Sequence, residues 1–114
     1  REQLLALQAL VRRLPESDEV TRYAVRLARM TRPGPDAPEA TRNWVRWGAG
    51  PRASQYLSLG ARVWAALHGN EVPHVDDVRA VARAVLGHRV LLNFQAEAQG
   101  ISPAQVIEEI LERA

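Results

Sequence analysis

The sequence contains no cysteine and no lysine, and each absence excludes a class of function. Without cysteine there are neither disulfides nor thiolate metal sites. Without lysine, neither the phosphate-binding loop G-x-x-x-x-G-K-[ST] nor Schiff-base chemistry can occur in these residues. Histidine occurs at His68, His74 and His88, without the paired spacing of a zinc site. No apolar run approaches the roughly 20 residues that span a bilayer, and no signal-peptide pattern is present.

What the chain does contain is typical of one small globular domain. Its 114 residues are 46% hydrophobic and 25% charged, which is enough for one modest core. Its basic residues are all arginines, scattered among 13 acids, whereas nucleic-acid binding usually needs a concentrated basic stripe. Membrane and nucleic acid are therefore disfavoured as partners. The chain opens at Arg1 with a helical pattern already running, and its only methionine is Met30, so we expect residues 1–114 to be a single domain of a longer protein.

Helical periodicity runs through most of the chain. It predicts helices over residues 2 to 13, 18 to 32, 51 to 68 and 75 to 87, and a last helix that begins at the capping box of Ser102 and Gln105. Three prolines and a glycine make residues 32 to 43 a loop. The apolar residues 90 to 94 can be extended and pair with the segment around Trp44. The predicted fold class is all-α, a small bundle of four to five helices that allows one short extended pair.

Most of the reactive or aromatic side chains are explained by packing and capping. Trp44, Trp47 and Trp64 fit a core better than a stacking platform. Asp76 and Asp77 lie in a helix first turn, where capping accounts for them better than a metal site does. The serines of the third predicted helix have no histidine at a useful local spacing, so nothing supports a hydrolytic triad. No enzymatic site is predicted within these residues.

The five residues Gly48-Ala49-Gly50-Pro51-Arg52 pose an electrostatic problem. They place an arginine in the first turn of the third predicted helix, where the macrodipole favours anions. The simpler explanation is a solvent-facing Arg52 that costs roughly a few tenths of a kcal/mol. The alternative is a phosphate site, because first-turn N–H groups and a guanidinium that point the same way attract an anion. In that case Gly48 and Gly50 let the backbone turn tightly and leave the approach open.

A second pair of interest, His88 and Arg89, follows the fourth predicted helix. Basic residues at a helix C-terminus are favourable by themselves, so complementarity with the dipole is one explanation. The other is a specific contact with a neighbouring domain or subunit. The residues alone leave both explanations open.

A longer pattern surrounds these residues. The stretch "WGAGPRASQYLSLGARVWAALHGNEVPHVDDVRAVARAVLGHRV" and the upstream "VTRYAVRLARMTR" together resemble the C-terminal lid of AAA+ ATPases of the MoxR family. Such lids carry a G-A-S-P-R-A type turn, an arginine- and alanine-rich helix, and a later helix that ends in V-L-x-H-R. The resemblance covers residues 2 to 95. This chain departs from the pattern at Gly50, where serine is usual, and at His74-Val75, where threonine-proline is usual.

The resemblance implies that Arg52 is the sensor-2 arginine, which contacts the terminal phosphates of ATP in cis or in trans, with Gly50 and Pro51 in the cofactor-binding turn. It implies ATP and Mg²⁺ as cofactors of the parent protein. It further implies a core upstream of residue 1 with the Walker motifs, neighbouring subunits of a ring, and a client in the cytoplasm. This fragment alone is expected to bind no cofactor and to hydrolyse no ATP.

One other class of function competes with the lid. A free-standing helical domain could bind a protein or nucleic acid through the helix that begins "PRASQYLSLGARV". The order of the lid-like motifs and the scattered charge argue against this alternative.

Overall fold

The computed structural model describes residues 17–114, which form six helices and one antiparallel pair of strands. In chain order the elements are α1 (Asp18–Met30), α2 (Glu39–Trp44), β1 (Val45–Trp47), α3 (Ala53–Leu67), α4 (Val75–Leu86), β2 (Leu91–Leu92), α5 (Phe94–Ala98) and α6 (Pro103–Arg113). The prediction of an all-α bundle with one short extended pair is confirmed. The helix predicted over residues 2 to 13 lies outside the described residues.

The two helices that were not predicted, α2 and α5, have six and five residues. Neither is long enough to show a helical period, so sequence patterns cannot identify them. Helix α2 occupies the second half of the predicted loop over residues 32 to 43. Helix α5 begins at Phe94, which the apolar pattern had assigned to an extended segment. The Asn93 side chain caps α5, because its Oδ1 accepts a hydrogen bond from the Ala96 N–H at 2.9 Å.

The core lies where α1, α3, α4 and α6 meet, and small side chains bring these helices close together. On α3 the buried positions are three alanines and a leucine: Ala53, Leu57, Ala61 and Ala65. At Gly60 an added Cβ would stand 3.1 Å from the Cγ2 of Val81 on α4. Helix α4 therefore approaches α3 closely at this glycine. Arg79 of α4 joins two further helices, since its Nη1 donates to the Tyr23 hydroxyl of α1 and the Leu111 carbonyl of α6.

The prediction that all three tryptophans belong to the core is wrong for two of them. Trp44 packs against the core, but 65% of Trp47 and 38% of Trp64 are exposed. For Trp64 on α3 the reason is the close helix packing, since contacts made through alanine and glycine leave no volume for an indole, whereas Trp47 is exposed on β1. The wide apolar face of α3 is therefore divided into a buried half and an exposed half.

The strands join two segments that are distant in the sequence. Val45 pairs with Leu92 and Trp47 with Leu91, in an antiparallel register with one irregularity between the two pairs. The Asn93 N–H extends the pairing by donating to the Trp44 carbonyl at 2.8 Å. The predicted pairing of these segments is confirmed, and it fixes β1 immediately before the turn that carries Arg52.

Within residues 17–114, every helix is too short or too polar to cross a membrane.

Candidate functional site

The segment from Gly48 to Arg52 leads into α3 and is held at both of its ends. Ala49 and Ala53 are each only 1% exposed, whereas Gly50, Pro51 and Arg52 between them are exposed. The Ala53 N–H donates to the Gly50 carbonyl at 3.0 Å, which closes a turn over the three exposed residues. We call residues 50 to 52 the exposed turn.

Arg52 occupies the N-cap position of α3, with φ −79° and ψ −10°. The helix begins at Ala53, so it starts two residues later than predicted, and Pro51 precedes the cap instead of occupying the first helical position. The Tyr56 N–H donates to the Arg52 carbonyl at 3.1 Å, as the first intrahelical hydrogen bond requires. Among the described residues, the Arg52 side chain has no hydrogen-bond or ion-pair partner.

The backbone of Ala49 is fixed on both sides by the end of α1. Its N–H donates to the Thr31 hydroxyl at 2.9 Å, and its carbonyl accepts from the Arg32 Nε at 3.0 Å. Thr31 is fully buried, and its hydroxyl donates in turn to the Ala28 carbonyl at 2.6 Å. The N–H and the carbonyl of the buried Ala49 thus both have hydrogen-bond partners in the dipeptide Thr31-Arg32, which lies 17 to 18 positions earlier in the chain. We call this arrangement the Ala49 clamp.

The two glycines near the exposed turn have different roles. An added Cβ at Gly48 would lie 2.4 Å from the Thr31 carbonyl oxygen and 2.7 Å from the Arg32 Cα, so only glycine fits against the end of α1. At Gly50 an added Cβ would meet nothing within 4 Å. Neither glycine has a positive φ, so the expected tight turn does not depend on glycine's conformational freedom. Close packing requires Gly48, and the space around Gly50 is open.

A second buried threonine supports the same region. The hydroxyl of Thr41 on α2 donates to the Met30 carbonyl at the C-terminal end of α1. Thr41 is also fully buried, but its hydrogen bond does not reach the Gly48–Arg52 segment. Sequence reasoning missed both threonines as buried groups. The upstream pattern that ends in Thr31-Arg32 was the available signal, although it gives no indication of a contact 18 residues away.

The other long helices close their N-termini with their own side chains. The Ser17 hydroxyl accepts from the Val20 N–H at 3.4 Å, and the Ser102 hydroxyl accepts from the Gln105 N–H at 3.2 Å. In α4 the Asp77 Oδ2 accepts from the His74 N–H at 2.7 Å. Helix α3 has neither a capping side chain nor an acid in its first turn. The positive end of its dipole is therefore uncompensated and has a guanidinium beside it.

The interpretation of Asp76 and Asp77 as capping residues holds for Asp77, which is buried and bonded as described. Within residues 17–114 there is no group of three or more acids or histidines placed to hold a metal ion. His74 is the N-cap residue of α4, as expected of a cap or loop residue. His68 follows α3 and stacks on Trp64 at a ring separation of 4.4 Å.

His88 and Arg89 both lie exposed after α4. The Arg89 Nη1 donates to the Val85 carbonyl at 2.7 Å, as dipole complementarity predicts. Its guanidinium also lies 4.4 Å from the centre of the Tyr56 ring on α3, which is cation–π distance. The structure thus brings Arg89 to the first turn of α3, one helical turn after Arg52.

Beside Arg89, α3 and α4 enclose an apolar groove of about 420 Å³. Tyr56, Trp64 and Leu67 line it and are 40%, 38% and 61% exposed. These side chains are the exposed half of the apolar face of α3. Large apolar side chains grouped on a surface are typical of protein–protein contacts, membrane contacts and ligand grooves.

A third surface is basic. Arg22, Arg26 and Arg29 of α1 line a groove of about 640 Å³ together with Arg32 and residues 34 to 38. All four arginines are exposed. The sequence pattern had described the arginines as scattered, and the fold collects these four along one groove. Asp36 lies in the same groove and partly offsets their charge.

Comparison with known proteins gives one family and several relatives. The family model for the AAA lid domain matches residues 38–110. Chaperone MoxR1 of Mycobacterium tuberculosis is 37% identical over 91 residues, which cover 79% of this chain and 24% of that protein. Protein MoxR of Paracoccus denitrificans is 36% identical over 64 residues, which cover 54% of this chain and 19% of that protein.

A broader match lies in Bacillus subtilis, whose uncharacterized protein YeaC is 29% identical over 111 residues, covering 97% of this chain and 32% of that protein. Among solved structures, a crystal structure from Cytophaga hutchinsonii, described as that of an ATPase, superposes with a TM-score of 0.85 at 32% identity. That likeness covers 93% of this chain and 32% of the other. The chain thus spans between 19% and 32% of the length of the proteins it matches.

Proposed function

This chain belongs to the lid domains of the MoxR-family AAA+ ATPases, and from that premise we propose that Arg52 is the sensor-2 arginine of a larger ATPase. In this proposal residues 1–114 are one lid domain, and the ATP-binding core belongs to the same parent chain, upstream of residue 1. The lid couples the nucleotide state to the shape of a ring oligomer. The parent is a cytoplasmic, chaperone-like enzyme that acts on a client protein.

The observation that carries the proposal is the state of Arg52. Its backbone lies between two buried alanines, while its side chain is exposed and has no partner among the described residues. An unpaired guanidinium at the uncompensated end of a helix dipole raises the local positive potential. During transfer, the negative charge of the γ-phosphoryl group of ATP is spread over its three equatorial oxygens, and a fixed cation stabilises that charge.

The described residues fit the phosphates of ATP but not its metal ion. The exposed turn offers a guanidinium and the first N–H groups of α3, all suited to phosphate oxygens. Mg²⁺ prefers carboxylate and water ligands, and residues 17–114 hold no carboxylate cluster for it. In the proposal, the core domain therefore holds the Mg²⁺ and the base of the triphosphate, and the lid contributes only Arg52 with its turn.

The apolar groove supports a contact between the lid and another part of the assembly. Its exposed aromatic and aliphatic side chains lie next to Arg89, and His88 is exposed beside them. We propose that this surface, with His88 and Arg89, packs on the ATPase core or on a neighbouring subunit. This contact surface runs along α3 from Tyr56, in the first turn after Arg52, to Leu67 at the end of the helix, so α3 joins the two sites.

The test is the substitution Arg52→Ala in the full-length ATPase. Removing one preorganised group that stabilises transition-state charge typically slows turnover by about 100-fold, and we expect a loss of that order. Arg113→Ala, an exposed arginine at the end of α6, is the matched control and leaves the rate unchanged. ATP hydrolysis measured under saturating ATP decides the matter, and a wild-type rate in Arg52→Ala would refute the sensor-2 assignment.

The basic groove of α1 favours the second candidate function, a free-standing domain that binds an anionic partner such as nucleic acid. Four arginines line it, and all four are exposed. Binding to phosphates through several arginines weakens steeply with salt. Titration of this chain with duplex DNA at low and moderate salt separates the two functions. Only a measurable affinity with a steep salt slope, lost in Arg26→Ala, would support the second.

A further inference from the structure

We infer that Thr31 and Arg32 are positioning residues for Arg52, an inference that rests on the proposed function. Neither side chain is the proposed phosphate ligand. They act on the backbone of Ala49, three residues before the sensor arginine, through the Ala49 clamp. The end of α1 thereby sets where the exposed turn begins.

The Ala49 clamp holds the backbone of Ala49 by both its N–H and its carbonyl. One side chain accepts from the Ala49 N–H and the other donates to the Ala49 carbonyl, so the residue can neither rotate nor slide without breaking a hydrogen bond. The packing of Gly48 against Thr31 excludes even a methyl group at that position. A long guanidinium held by a loose turn would sample many positions, whereas electrostatic catalysis needs donors that are fixed before the reaction.

Two features carry this rigidity from Ala49 to Arg52. Pro51 restricts its own φ and the conformation of Gly50, and the Ala53–Gly50 hydrogen bond closes the turn at 3.0 Å. Beyond Arg52, the buried Ala53 begins α3. Arg52 is thus the last residue of a short segment that is fixed at its start by α1 and at its end by α3.

The experiment is a double-mutant cycle in the full-length ATPase, with Thr31→Val and Arg52→Ala alone and together. Valine keeps the volume of Thr31 but leaves the Ala49 N–H without its acceptor. A displacement of about 1 Å at a reacting group can cost about 100-fold in rate, and we expect Thr31→Val to slow turnover about 10-fold. In the Arg52→Ala background, Thr31→Val should have no further effect, because there is no longer an arginine to position.

Three further variants separate positioning from loss of stability. Thr31→Ser keeps the hydroxyl and is expected to restore turnover to near the wild-type rate. Thr41→Val removes an equally buried hydroxyl that bonds to α1 but not to the exposed turn, and should lower the melting temperature without slowing ATP hydrolysis. If Thr31→Val does not fold, Arg32→Ala tests the other half of the clamp, with a smaller loss that also vanishes without Arg52.

The outcomes are distinguishable. If Arg52→Ala slows turnover but folded Thr31→Val does not, the positioning role is overturned and the sensor-2 proposal stands. An equal slowing by Thr31→Val with and without Arg52 also overturns positioning, because the effect then does not pass through the arginine. If Arg52→Ala itself has no effect, the proposed function fails, and the role assigned to Thr31 fails with it.

Discussion

The N-termini of α3 and α4 meet the same physical requirement in opposite ways. At α4 the Asp77 carboxylate is buried and accepts the His74 N–H, and Asp76 stands beside it. At α3 there is no acid and no capping side chain, and an arginine occupies the N-cap. The start of α4 is stabilised by its own residues, whereas the segment before α3 is held by residues of α1. Local capping closes a helix end to ligands, while support from a distant element leaves it open.

The largest effect on stability is expected at Gly48, where the segment before α3 packs most closely against the end of α1. Gly48→Ala places a methyl group 2.4 Å from the Thr31 carbonyl oxygen, which is backbone and cannot move aside cheaply. Overpacking of this kind costs about 1–3 kcal/mol of unfolding free energy. Gly50→Ala, two residues later with open space around it, is the control and should be neutral or slightly stabilising. Urea unfolding of both variants gives the comparison, and equal stability would show that α1 does not constrain this segment.

The next largest effect on stability is expected from removing the cap at the N-terminus of α4. Asp77→Ala removes the buried carboxylate that accepts the His74 N–H, and the loss of such a cap costs about 1 kcal/mol. Asp76→Ala, an exposed neighbour in the same first turn, loses only its dipole term and should cost about 0.3 kcal/mol. Thermal unfolding of both variants shows which substitution costs more stability. If Asp76→Ala is the more harmful, the hydrogen bond is not what closes this helix.

The smallest effect on stability is expected from reversing the charge at the N-terminus of α3 and at the N-terminus of α4. Arg52→Glu puts an anion at the positive end of α3 and should stabilise the chain by about 0.5 kcal/mol. Asp76→Arg makes the opposite change at α4 and should destabilise it by a similar amount. Denaturation at low and high salt provides the measurement, because added salt should shrink both changes. Destabilisation by Arg52→Glu would mean that the chain itself needs this arginine to fold.

How far the sequence predicts this molecule depends on the range of the interaction involved. Capping by Ser102 and the course of α1 follow from neighbouring residues, and each was predicted. The helices α2 and α5 were not, because five or six residues show no period. The exposure of Trp64 was also missed, because hydrophobicity alone cannot tell whether alanine-lined helices leave room for an indole.

The features of the candidate site also divide into those that the sequence predicts and those that only the tertiary structure shows. The anomaly at Arg52 is visible in the sequence, because an arginine at the start of a helix opposes the dipole. The reason for Gly48 is not visible, since it depends on the carbonyl of Thr31, and neither is the pairing of Thr31 and Arg32 with Ala49. The sequence indicates which residue we propose as the phosphate ligand, and only the tertiary structure shows what holds that residue in place.

The Ala49 clamp also has a mechanical consequence. Because it joins the exposed turn to the C-terminal end of α1, the two behave as one rigid lever. The 13 residues of α1 give that lever an arm of about 20 Å, so a tilt of about 10° around its Ser17 end would carry Arg52 about 3 Å. That distance separates a formed hydrogen bond from a broken one. A small tilt of α1 that took the start of α3 with it would therefore be enough to move the charge of Arg52 by the length of a hydrogen bond.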